Sequence, residues 1–179
     1  PIPGGILNGI TGTLFILAMA IVMALPVGIL TGVYLAENGD KPIAKLVRSL
    51  SDILQGVPSI VIGVVVYLWV VRPMQSYSAF AGAVALALMM LPMITRSTEE
   101  SLKMLPTSLK EAGLALGCSY TSVVLRILLP SAFSGLFTGS LLAISRVMGE
   151  TAPLMVTALG ATTVKWNATD PTSAISLLI

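Results

Sequence analysis

Long apolar runs alternate with short polar ones along this chain. No Asp, Glu, Lys or Arg occurs from Ile6 to Ala36, and the first charge is Glu37. At about 1.5 Å of rise per residue, a helix of that length exceeds the roughly 30 Å hydrocarbon core of a bilayer. It is expected to tilt, to overrun the core, or to bend at Pro26, where a backbone donor is missing. A second run goes from Ile53 to Val71, with Gln55, Gly56 and Pro58 at its start and Arg72-Pro73 closing it. Gln75 to Ser78 reads as a short turn, Ala79 to Thr95 as a third run, and Ala132 to the neighbourhood of Met148 as a fourth. Between the last two lies a polar island carrying Lys103, Lys110, Glu111 and Arg126, which water or a soluble partner must cover. The pattern predicts an all-α polytopic membrane protein with four spans.

Composition narrows the class further. Hydrophobic residues make up 55% of the chain, charged residues 10%, and the mean hydropathy is +0.95. A soluble domain carries roughly 25% charged residues, so too few charges are present to coat a water-facing surface. The net charge of +2 is too small to argue for nucleic acid. Position matters more than sum, because short loops rich in Lys and Arg stay cytoplasmic. Residues 37–52 hold Lys41, Lys45 and Arg48, and residues 96–131 hold Arg96, Lys103, Lys110 and Arg126. The opposite face has Arg72 and Lys165. The Glu111 segment is therefore expected in the cytoplasm and Pro1 outside, with a preceding span missing. Asp170 to Ile179 reads as the start of a further apolar run, so a following span is expected to be missing too. Pro1-Ile2-Pro3-Gly4-Gly5 lacks Met and a basic region and is not an intact signal peptide. One cysteine, Cys118, allows no internal disulfide, and the absence of His removes imidazole metal sites and Ser-His nucleophiles.

The island reads as two short helices. Pro106 suits a first helical position, and Leu109, Ala112 and Leu116 are expected to form an apolar edge. Gly117 suits the left-handed conformation that stops a helix. Ser119 is the expected N-cap of a second helix, whose Val123, Val124, Ile127 and Leu128 recur at helical spacing. Pro130 marks the start of the fourth span. From the residues alone, an amphipathic connector lying on the membrane explains this segment better than a docking element does.

Arg146 and Glu150 stand four residues apart and are expected to share one helix face. Arg146 lies sixteen residues beyond Pro130, about 24 Å at helical rise. Ionisable groups at such depth are costly and face a bundle interior or a watery path. An ion pair that only contributes packing explains the spacing equally. An Arg left open would suit an anion, since guanidinium meets tetrahedral oxyanions with forked hydrogen bonds.

Glu111-Ala112-Gly113, three residues, Gly117, nine residues and Ile127-Leu128-Leu129-Pro130 together resemble the EAA loop of ABC-importer permeases. In that family the loop is a cytoplasmic helix–turn–helix that docks into a groove on the ATP-hydrolysing subunit. The one departure is Gly113, where the family usually has a second Ala. The resemblance implies an ATPase-docking segment at 106–130, carried by Glu111, Ala112, Gly113, Gly117, Ile127 and Pro130. Ser145-Arg146-Val147-Met148-Gly149-Glu150-Thr151-Ala152-Pro153-Leu154 is similar to the signature of one of the two permease subunits of bacterial phosphate ABC importers. The other subunit typically lacks the Ala-Pro-Leu continuation. Gly28 to Glu37, Gly56 to Gly63 and Leu91 to Glu100 are similar to the same subunit.

The resemblance implies a MetI-like transmembrane domain over residues 1–179, holding four of six spans, in the bacterial inner membrane. It implies a substrate path touching Arg146 and Glu150. Thr151 and Ser59 are candidates there as hydroxyl donors to phosphate oxygens, although such residues in spans more often satisfy a carbonyl or pack on a neighbour. The implied partners are a second permease subunit completing a heterodimer, cytoplasmic ATP-binding subunits, a periplasmic phosphate-binding protein, inorganic phosphate and the lipid bilayer. No cofactor, metal or nucleic acid is implied. Pro26, Pro58, Pro92 and Pro153 are hinges for alternating access or static kinks. No Gly-x-x-x-x-Gly-Lys-Ser/Thr loop occurs in the sequence, so the chain does not bind ATP through that device and is expected not to be an enzyme. An importer for another oxyanion such as sulfate or molybdate, a passive channel and a membrane scaffold are the competing readings.

Overall fold

A computed structural model describes residues 7–159 and 167–177. Lys165 and the Pro1–Gly5 start lie outside the described residues. Among the described residues eight helices precede a short 3-10 turn at Ile175–Leu177: α1 Leu7–Glu37, α2 Pro42–Gly56, α3 Ser59–Met74, α4 Ala79–Lys103, α5 Thr107–Ala115, α6 Tyr120–Ser131, α7 Phe133–Met148 and α8 Ala152–Thr157. Among the described residues α1 and α4 are each long and apolar enough to cross a membrane, and the bent pairs α2–α3 and α6–α7 qualify if each counts as one span.

The central helix is α4, whose small residues Ala79, Ala81, Ala83, Ala85 and Ala87 are all buried. It packs along α1, and the seam is set by size. A Cβ on Gly32 would stand 2.5 Å from Thr98 Cβ and 2.7 Å from the Thr95 carbonyl. Only glycine fits there. Close approach of backbones replaces the hydrophobic drive that lipid does not supply. Ile16, Met90, Ile94 and Val147 fill the core that α1, α4 and α7 share. Pro26 and Pro92 lie inside helices that run on past them.

The region expected to be a loop over 37–52 and a span from Ile53 is arranged differently. Residues 42–56 form one helix, and a second, separate helix starts at Ser59. Ile43, Leu46, Leu50 and Ile53 recur at helical spacing between Lys45, Arg48 and Asp52, which makes α2 amphipathic. Pro58 pushes the preceding Val57 into an extended conformation (φ −72°, ψ 131°), ending α2. The axes of α2 and α3 then differ by 107°. α3 stops at Gln75, which takes a left-handed φ of 53°. The Ser78 hydroxyl then caps α4 by accepting from Ala81 N at 3.1 Å.

Wide, π-helical turns occur at Tyr67–Val71 and Val124–Leu128, each two residues before a proline, Pro73 and Pro130. A proline cannot donate to the preceding turn and its ring crowds it, so the helix widens there. The fourth span begins after Ala132, at a 68° bend from α6. At the other end of the bundle the chain folds back on itself. Ser78 N donates to the Thr157 carbonyl and Ala79 N to that of Asp170. Ile175 N donates to Thr13 Oγ1 at 2.9 Å. Residues 170–177, expected to open another apolar run, serve here as a cap over α1 and α4; residues 178–179 lie outside the description.

Candidate functional site

The polar island is a compact helix–turn–helix. Pro106 precedes α5 rather than opening it, with an extended backbone at ψ 137°. α5 ends in paired closing bonds: Gly117 N donates to the Leu114 carbonyl at 2.9 Å and Cys118 N to that of Gly113 at 3.3 Å. Gly117 sits at φ +79°, the left-handed cap that these bonds require. Ser119 then caps α6, its hydroxyl accepting from Ser122 N at 3.3 Å. Val123, Val124 and Leu128 are buried and Ile127 half-buried.

Packing inside this knuckle differs from the expected apolar edge. Ala112 is exposed and Leu116 is 84% exposed. Leu109 and Gly113 take the inner side instead. A Cβ on Gly113 would stand 2.9 Å from Ile127 Cδ1 and 3.0 Å from Val123 Cγ2, so the missing methyl lets α5 and α6 close on one another. Glu111, Gly117 and Pro130 are exposed. Leu114, Leu116 and Leu125 join Glu111 on the outside, an apolar rim beside a charge.

Two acids that sequence reasoning did not single out hold this end of the bundle together, Glu37 by tying the knuckle to α1 and Glu99 by tying α2 to α4. The Glu37 carboxylate, at the end of α1, accepts from Lys110 Nζ on α5 and from the Tyr120 hydroxyl on α6. Lys110 Nζ also lies 5.0 Å from the centroid of the Tyr120 ring, within cation–π range. Burial and the bond to Glu37 push the Tyr120 phenol up to about 12, so it remains a donor at neutral pH. Glu99, its side chain 3% exposed, accepts from Arg48 Nη2 of α2 and Lys103 Nζ of α4, both at 2.5 Å. These contacts bring the two basic segments, 37–52 and 96–131, to one end of the bundle. A cleft of about 230 Å3 beside the knuckle is lined by Glu37, Lys103, Pro106, Thr107 and Lys110.

Arg146 and Glu150 do not share a helix face. α7 ends at Met148, and Gly149 (φ −92°, ψ 1°) leaves Glu150 beyond it. The four-residue spacing rule assumes a helix that continues, and here it does not. Among the described residues neither side chain forms an ion pair. Arg146 is exposed, with Nη1 at 3.5 Å from Met93 Sδ, and Glu150 is half-buried, its carbonyl accepting from Ser176 Oγ at 3.0 Å. Thr151 stands just before α8 and Ser59 opens α3, and these two helices pack together. Among the described residues no group of three or more His, Cys, Asp or Glu is placed to hold a metal ion.

Comparison with known proteins agrees with this architecture. Residues 24–178 match the family described as binding-protein-dependent transport system inner membrane component. The chain is 42% identical over 98% of its length to the phosphate transport system permease protein PstA of Haemophilus influenzae, of which it covers 63%. It is 46% identical over 87% of its length to the protein of the same name from Yersinia pestis, covering 53% of it. The chain thus spans less than two thirds of these relatives. A solved chain of the MetNI methionine ABC transporter, in an inward-facing conformation, superposes with a TM-score of 0.66 at 25% identity. That likeness covers 79% of this chain and 72% of the other.

Proposed function

Since the chain belongs to the family of binding-protein-dependent transport system inner membrane components, we propose that it is the membrane-spanning permease subunit of an ATP-driven phosphate importer in a bacterial inner membrane. The observation that carries this reading is the knuckle at 107–131, exposed outward through Glu111, Leu114 and Leu116 and clamped inward through Glu37. A surface loop without a task would not need both helices pinned. Cytoplasmic ATP-binding subunits (PstB-like) grip the knuckle and supply the work, so the chain itself contributes no catalytic residue. A second permease subunit (PstC-like) completes the path as a heterodimer, and a periplasmic phosphate-binding protein (PstS-like) delivers inorganic phosphate.

Arg146 is the residue proposed to meet phosphate. An exposed guanidinium on an apolar helix, with no ion pair among the described residues, is expensive in a membrane. Its forked donors match a tetrahedral oxyanion. Glu150, Thr151 and Ser59 are proposed to line the same path, the hydroxyls as donors to phosphate oxygens. The names of the relatives support phosphate over other oxyanions.

The test is ATP-dependent uptake of labelled phosphate and labelled sulfate into vesicles holding this subunit with its neighbours. Phosphate uptake that unlabelled sulfate does not compete with is expected. Uptake without the ATPase subunits would overturn the pump, and sulfate uptake alone would overturn the substrate.

A further inference from the structure

Glu37 is separated from Lys110 and Tyr120 by 73 and 83 positions, yet one carboxylate receives a donor from each helix of the knuckle. Its side chain is 12% exposed, while those of its donors keep more contact with water, Lys110 at 34% and Tyr120 on the exposed side. Lys110 adjoins Glu111, and Tyr120 opens α6 just beyond the Gly117 turn. A load applied at the outward face of the knuckle therefore reaches Glu37 through both of its helices. Beyond Glu37, α1 is locked to α4 by the Gly32 seam, where no side chain fits. α4 is held to α2 at the same end by Arg48 and Glu99.

We infer that Glu37 is a positioning residue for coupling, the clasp through which displacement of the knuckle is delivered to α1 and, through the glycine seam, to α4. This rests on the transport function proposed above. Without the clasp the knuckle is still covalently joined to α4 and α7, but through the non-helical stretch at 104–106 and the bend at Ala132. Docking then persists while motion is lost between knuckle and bundle.

The experiment uses the assembled transporter, with its ATPase subunits and binding protein, and reads labelled phosphate taken up per ATP hydrolysed. In Glu37→Ala that ratio is expected to fall about tenfold, the scale of common coupling energies, while the ATPase subunits still co-purify and hydrolyse ATP. A merely structural role would lower the amount of assembled complex and leave the ratio unchanged. The exchange Glu37→Lys with Lys110→Glu is expected to restore the ratio to within about twofold of wild type. A wild-type ratio in Glu37→Ala, or an assembled exchange variant that stays uncoupled, overturns the clasp. If Glu37→Ala does not assemble, Tyr120→Phe decides: a lowered ratio supports the clasp, and an unchanged one overturns it. Sulfate is run in parallel, so that uptake of sulfate alone corrects the substrate and leaves the ratio readable. Uptake of neither anion overturns both readings.

Discussion

At the knuckle end of the bundle, Glu37 holds two donors from distant parts of the chain, and Glu99 holds one distant donor, Arg48, and one from the next turn of its own helix, Lys103. At the far end of α7, Arg146 and Glu150 stand close in sequence and form no ion pair among the described residues. The contrast separates two uses of charge in an apolar protein. Saturated carboxylates bind elements together, since removing one partner leaves the others desolvated and unmatched. A guanidinium with no counter-charge among the described residues makes no such tie, and the role proposed for Arg146 above draws on that difference.

Several substitutions would break or sharpen that contrast. The largest effect is expected for Arg146→Gln. Phosphate uptake should fall about a hundredfold, the cost of losing a charged, forked contact, with assembly and thermal stability as in wild type. Lost stability there would place Arg146 with the structural charges. Glu99→Ala should do the reverse, destabilising the fold by about 2 kcal/mol in detergent unfolding. That is less than a fully buried pair would cost, because Arg48 and Lys103 retain some exposure to water. Glu111→Lys, at the outer face of the knuckle, is expected to lower uptake about tenfold and weaken co-purification of the ATPase subunits without moving the melting temperature. Arg96→Ala should be the mildest. The pair it forms with Glu100 is about half exposed on both sides, so unfolding should shift by less than about 0.5 kcal/mol.

Much of the fold could be read from residue order, for identifiable reasons. α1 and the first two thirds of α4 are long apolar runs, and such runs carry their own evidence. α2 was hidden because its stripe at Ile43, Leu46, Leu50 and Ile53 is interleaved with the same basic residues that report topology. Its last apolar residues also merge with the next run across Pro58. Gly117 and Ser119 were legible as cap and N-cap because each answers a backbone rule confined to one turn. The Glu37–Lys110–Tyr120 link was not, since no local rule reaches across more than seventy residues of chain. Leu116 misled for a related reason: helical spacing gives a face but does not say whether that face meets the protein or a partner. Arg146 and Glu150 were misjudged as one face because Gly149 ends the helix between them.

Cys118 supplies the most direct test of the central claim, that the knuckle faces the cytoplasm and is covered by the ATPase subunits. Its exposed thiol sits in the turn between Gly117 and Ser119, where a membrane-impermeant maleimide can reach it. Labelling is expected in inside-out vesicles only, and bound ATPase subunits should block it. Labelling from the outer side, or labelling that those subunits leave unchanged, would contradict the account.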